Sequence, residues 1–276
     1  MPLGPFDLSG GPFLILYTGL LLLALTAAIG LPFWLRPEGR ARRVTHPDQL
    51  AYLAGGRTRF LDALVTRLLT AGLLAISPRR KLAAQGPGGG HSPAEIAILR
   101  LPGEFGWAEI ERTACDYAEP VERALVRDGL LMDAAEALRL RLWQTLPLIA
   151  ALLFGAIKWE VGTMRDKPVG ILTFLLLLTL AAAVIRFLVL DRRTQAGIRA
   201  LGQAQADADR LRRAPLPEEM GLAVALYGTA ILAGSYWSDY HALRRASGSD
   251  GGSSSDSGSG DGGGAGGCGG CGGGGD

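Results

Sequence analysis

The residues best suited to chemistry stand at the end of the chain. Cys268 and Cys271 are separated by two glycines, a spacing that lets two thiolates reach one tetrahedral ion. They are the candidate metal ligands, and zinc is the candidate cofactor. Two thiolates make half a site. His241 lies upstream across a glycine-rich stretch, and a second chain could supply two further thiolates. A redox role needs a cysteine activated at a helix N-terminus, which a tail of Gly, Ser and Asp does not provide. The plain alternatives are a tail with incidental thiols and a tail that is covalently modified. Cys115 reads as a small residue of a cytoplasmic domain, and three cysteines do not form the even framework of a secreted disulfide protein.

No other constellation suggests catalysis. His46, His91 and His241 are scattered near turns or termini, where surface or helix-capping roles fit better than ligation. Gly88 to Gly90 are followed by no Lys-Ser or Lys-Thr, so no phosphate-binding loop is present. Within the expected spans the only acidic residue is Glu160, at an interface, which leaves a proton relay without members. A net charge of +2 gives no general electrostatic case for nucleic acid. We therefore assign no catalytic or cofactor-binding residue and expect a non-enzymatic protein.

What positions anything in this chain is a set of apolar runs. Val169 to Ile185 carries no charge, and four apolar residues follow Arg186. At about 1.5 Å per residue this crosses roughly 30 Å of hydrocarbon, once Arg186 snorkels to the nearer surface. Leu146 to Ile157 is shorter, but Trp143 and Trp159 flank it where interfacial aromatic belts would sit. Pro147 is expected in the first turn of that helix, where a missing N–H costs least. Phe13 to Leu35 is uncharged and is followed by Arg36, Arg40, Arg42 and Arg43. A cleavable signal peptide carries its positive charge before the apolar run, so this segment reads as an uncleaved first span, with a cleaved signal as the lesser alternative. The spans are thus 13–35, 142–161 and 169–190. Basic residues flank the hairpin on its outer ends (Arg139, Arg141, Arg192, Arg193, Arg199). The positive-inside rule then places residues 1–12 and the loop 162–168 outside, and 36–141 and 191–246 in the cytoplasm.

Residues 36–141 contain a degenerate repeat, in copies spanning about 46–84 and 91–133. Pro47-Asp48-Gln49-Leu50-Ala51-Tyr52-Leu53 after His46 resembles Pro93-Ala94-Glu95-Ile96-Ala97-Ile98-Leu99 shortly after His91. Each copy continues through a glycine turn (Gly55-Gly56 or Gly103) into a helix ending in Gly-Leu-Leu. Phe60, Leu61, Leu64, Val65, Leu68 and Leu69 form a wide apolar helix face, with Leu61, Leu64, Leu68 and Leu69 as the module core. Gly72 and Gly129 fit helix C-terminal stops, and the Leu-Leu pairs fit the start of short strands. Helix, turn, helix and the basic turn Pro78-Arg79-Arg80-Lys81 are similar to a winged-helix pattern. The helix Ala118 to Asp128 sets Glu119, Glu122 and Asp128 against Arg123 and Arg127, too acidic a face to neutralise phosphates. A protein partner is the expectation, with Arg79, Arg80 and Lys81 touching that partner or lipid. A membrane-tethered DNA-binding regulator is the second reading.

Within 191–246 the stretch Met220 to Ser238 is uncharged. It reads as a packing or membrane-adjacent helix, and a fourth span is the alternative. Residues 247–276 are Gly/Ser/Cys-rich, lack apolar surface to bury and are expected to be disordered.

The element from Leu50 to Leu74 (LAYLAGGRTRFLDALVTRLLTAGLL), the Lys167-Pro168-Val169-Gly170 loop between paired spans, and AVALYG at Ala223 to Gly228 before a Gly/Cys-rich end together resemble a family of uncharacterised bacterial integral-membrane proteins. The resemblance spans nearly the whole chain. It implies the architecture and a bacterial inner-membrane location, and it implies no activity. The terminus is also similar in composition to precursors of modified peptides. The expected fold is an all-α membrane protein with three transmembrane helices, a small winged-helix-like cytoplasmic module and a disordered C-terminal tail.

Overall fold

The computed structural model describes residues 10–86, 89–164 and 170–247. Cys268 and Cys271, the terminal tail and most of the loop expected at 162–168 lie outside the described residues. Two compact units emerge. One takes its described residues from 10–37, 133–164 and 170–192, the other from 38–86, 89–132 and 193–247.

The first unit consists of three helices long and apolar enough to cross a membrane: α1 (Gly10–Leu35), α6 (Ala134–Met164) and α7 (Gly170–Leu188). Their outer faces are apolar and uncovered, with Ile15, Leu23, Trp34, Phe174 and Ile185 each more than 60% exposed. Apolar surface of that extent is stable only against another apolar medium. Between the helices the packing is close. A Cβ on Gly155 of α6 would lie 2.6 Å from the Tyr17 ring of α1, so only glycine allows this approach. Phe13 stacks on Phe154, with centroids 5.8 Å apart, and the Tyr17 hydroxyl shares a 3.0 Å hydrogen bond with the Thr179 hydroxyl of α7. At the opposite end of α1, Arg36 pairs with Asp191 just beyond α7 at 3.1 Å. The helices therefore run up, down and up.

Two local expectations fail here. Arg186 does not snorkel away from the bundle. Its guanidinium donates twice to the Ala28 carbonyl of α1, at 2.9 and 3.0 Å, because a carbonyl without water around it is a strong acceptor. Pro147 is not in a first turn either, since α6 starts thirteen residues earlier at Ala134 and carries the proline in its interior.

The second unit is built around α2 (Pro47–Thr70), which bends where Gly56 adopts φ +67. Leu61, Leu64, Leu68 and Leu69 are buried, as the periodicity of the sequence predicts. Both repeat copies end in the same device. Gly72 and Gly129 adopt φ +71 and +73; Leu73 N–H donates to Leu68 O, and Leu130 N–H to Leu125 O, each at 2.9 Å. This closes the last helical turn with a left-handed residue that glycine adopts without steric cost. After Gly72 the chain forms β1 (Leu74–Ile76) and β2 (Leu82–Ala84), and after Gly129 Leu131 makes an antiparallel bridge with Arg193. β3 (Glu104–Phe105) adds to β2, giving a three-stranded antiparallel sheet in the order β1-β2-β3. An all-α description of the chain is therefore incomplete, although the fold is mostly helical.

The second copy continues through α3 (Pro93–Leu99), α4 (Trp107–Ala114) and α5 (Ala118–Arg127). Beyond the hairpin come α8 (Gln195–Asp207), α9 (Asp209–Arg213), α10 (Met220–Tyr227) and α11 (Ser238–Ala246). The uncharged run from Met220 breaks after eight helical residues at Gly228, φ +93, and becomes a 3-10 turn over Thr229–Gly234. It is a core helix. Met220, Ala223, Val224, Ala225 and Leu226 are buried against α2, and its small residues allow close approach.

Candidate functional site

A crevice on the second unit is lined by Pro93, Ile96, Ala97 and Arg100 of the α3 region and by Tyr117 at the start of α5, and it encloses about 420 Å³. The sequence puts those side chains there for separable reasons. Ser92 caps α3 by accepting from Glu95 N–H at 3.2 Å, and the Glu95 carboxylate accepts from the Ser92 and His91 amides. This reciprocal cap fixes where the helix begins. Ala94, Ile98 and Leu99 then face the core, which turns Ile96, two residues and so roughly 200° round the helix from both Ala94 and Ile98, outward. Ile96 and Tyr117 remain 39% and 38% exposed. The crevice joins apolar walls to the Arg100 guanidinium, an arrangement suited to an apolar side chain with a carboxylate beside it.

The base of this wall is tied down by charge. Arg67 of α2 donates to Asp48 at 2.7 Å and to Glu95 at 3.0 Å, so one guanidinium joins the first turns of the leading helices of both repeat copies. Anions at helix N-termini are favourable in themselves, and sharing a cation fixes their spacing. His46 caps α2, its Nδ1 accepting from Asp48 N–H at 3.3 Å, and His241 shares a hydrogen bond with Thr229.

A second polar cluster is fully buried. Asp62 of α2 accepts from Arg244 Nε at 2.6 Å and from the Tyr240 hydroxyl at 2.8 Å, both donors belonging to α11. The Arg244 guanidinium also lies over the Trp107 ring, 3.4 Å from its centroid. Burial pushes the Asp62 carboxyl up from its ordinary value, while Arg244, Tyr240 and Arg59 pull it back. The sequence reading missed this cluster. Its signal was an aspartate inside the run Phe60-Leu61-Asp62-Ala63-Leu64-Val65, which demands a cation, and a Tyr-x-x-x-Arg spacing that puts both donors on one helix face.

Arg79, Arg80 and Lys81 occupy the turn between β1 and β2 and are exposed. Asp128, the C-cap of α5, pairs with Arg42, and on the helix Glu119 pairs with Arg123, while Tyr52 donates to Glu122. Among the described residues no three His, Cys, Asp or Glu side chains come together as a metal-binding group, and the Cys115 thiol is buried, donating to the Asp116 carboxylate at 3.3 Å.

No family model, curated protein or solved structure matches the chain. Its function must be read from the geometry. The described residues form a helical protein with three candidate membrane-spanning helices and no evident catalytic site.

Proposed function

We propose that the chain is a membrane-anchored, non-enzymatic interaction protein that presents its second unit in the cytoplasm and holds a protein partner in the α3/α5 crevice. The observation that carries this reading is the joint exposure of Ile96 and Tyr117 beside Arg100 on a unit whose other large apolar side chains are mostly buried. A partner with an apolar anchor next to an acidic residue fits that surface. The anchoring part is supported by connectivity as well as by charge. Segments on both sides of the α6–α7 hairpin fold into one body, a connectivity that fits a hairpin crossing the bilayer and returning. The basic residues at its ends favour the cytoplasm for that body.

The test is site-specific photocrosslinking in cells, with the reactive group at Ile96 or Tyr117 of the full chain. A discrete protein adduct that disappears in Arg100→Glu supports the reading. Adducts absent at both positions, under conditions where the chain is folded and membrane-bound, overturn it. The exposed basic turn at Arg79 to Lys81 favours a second reading, binding to duplex DNA beside the membrane. Binding that weakens steeply with salt would support that second reading, and none at low salt would end it.

A further inference from the structure

The first unit holds a groove between α6 and α7, lined by Thr145, Ile149, Ala183, Val184, Phe187 and Leu188 and enclosing about 230 Å³. Its walls are apolar. The Thr145 hydroxyl donates back to the Arg141 and Leu142 carbonyls of its own helix, at 2.8 and 3.1 Å, and has no hydrogen left for the groove. The floor is held rigid by Gln144, whose amide donates to the Arg186 carbonyl at 2.7 Å. Val184 and Leu188 leave the outer side open, 49% and 61% exposed.

One cation stands at this groove. Arg141, one turn before Thr145, lays its guanidinium 6.0 Å from the centroid of the Phe187 ring. Its Nε is buried and donates to no acceptor among the described residues. A guanidinium has a fork of donors that matches phosphate oxygens, and a buried donor without an acceptor is costly. The cation therefore sits at one end of an apolar slot, with its Nε donor unfilled among the described residues. A second helix, about 10–12 Å across, does not fit a slot of this volume. A lipid chain does.

We propose that this groove is a binding site for an anionic phospholipid, one acyl chain lying between α6 and α7 and the phosphate held by Arg141. The proposal rests on the membrane reading above and adds to it a specific lipid site. Its ligand class follows from the pairing of an apolar channel with a cation at its end; headgroup charge and chain occupy the same molecule. Arg139, on the same helix, and Arg192, beyond the end of α7, add positive charge to this end of the hairpin. The apolar faces elsewhere on α1, α6 and α7 offer surface for lipid but do not place an arginine against a slot.

The experiment uses the full chain extracted in mild detergent, with bound phospholipid measured by mass spectrometry after exhaustive washing. Wild-type protein is expected to retain phosphatidylglycerol or cardiolipin in preference to phosphatidylethanolamine. Arg141→Gln is expected to lower that retention about fivefold, the worth of one basic residue beside an anionic surface, and Arg141→Lys to recover part of it. Val184→Trp, which fills the slot from its exposed side, is expected to lower it with the arginine intact. Equal retention in all three variants overturns the proposal, as does crosslinking through position 184 to a second copy of the chain. Release of the wild type from membranes by alkaline carbonate would refute the anchoring itself. A chain that stays embedded yet shows no selective lipid refutes only the site.

Discussion

Replacing Arg244 should be among the most damaging changes to the second unit. The pair it makes with Asp62 is buried, Arg244 being 1% exposed and Asp62 4%. Arg244→Ala leaves the carboxylate with the Tyr240 hydroxyl and empties the space over Trp107. Breaking a buried pair from one side costs about 3–5 kcal/mol, several times the 0.2–1 kcal/mol or so of an exposed pair. The paired charges themselves need not stabilise the fold, because their mutual attraction is offset by desolvation. Asp62→Leu with Arg244→Met should therefore cost much less than the two single changes together, especially with Tyr240→Phe, which removes a hydroxyl otherwise stranded at about 1–3 kcal/mol. Cys115, 6% exposed, provides the assay. In a Cys268→Ser, Cys271→Ser background its labelling in urea reports opening of the second unit alone. We expect a coupling energy of at least about 2 kcal/mol between positions 62 and 244. Single changes each costing under about 1 kcal/mol, or an additive cycle, would refute the reasoning.

Two further outcomes follow from local geometry. Gly155→Leu should force α1 from α6, since even a Cβ would lie 2.6 Å from the Tyr17 ring, and should lower the thermal midpoint of the detergent-solubilised chain by several degrees; an unchanged midpoint would mean the two helices are not in this register. Glu109 accepts from the Gly106 amide at 3.0 Å at the start of α4, and backbone hydrogen bonds, with help from Arg112 and Lys81, hold its carboxyl below the ordinary value of 4.5. A lowered carboxylate stabilises the fold above its unfolded value and loses that effect as pH falls through the folded one. The stability difference between wild type and Glu109→Gln should thus be full at pH 7 and vanish in acid, and a difference independent of pH would exclude this cap.

The sequence was most legible where one residue type acts alone. Glycine stops at 72 and 129 and the leucine face of α2 depend on a few neighbouring positions, and the structure shows them where the pattern puts them. The Asp62 cluster was not legible, because its partners stand some 180 residues away, and periodicity carries no information on distant pairing. α10 was ambiguous for a different reason. A short helix apolar on all sides has the same composition whether protein or lipid surrounds it, and only its partner α2 decides between them. The crevice beside Ile96 was hidden because an exposed isoleucine in the sequence looks like a core one. Arg186 shows the limit of a generic rule, since snorkelling presumes no acceptor nearby, and the Ala28 carbonyl is one.

The division of the second unit between residues before and after the hairpin also sets an order of events during synthesis. When α2 leaves the ribosome its apolar face has no α10 to cover it, and the stretch Asp133–Arg192 must be made first, a delay of several seconds at about 5–20 residues per second. On the membrane reading proposed above, a hairpin that inserted only one of its helices would send α10 and α11 to the opposite side of the bilayer, leaving the leucines of α2 bare and Asp62 without its cation. Such a chain would be exposed to proteases and chaperones. On that reading, completion of the second unit would act as a proofreading step on membrane insertion, with the ion pair at Asp62 as its seal.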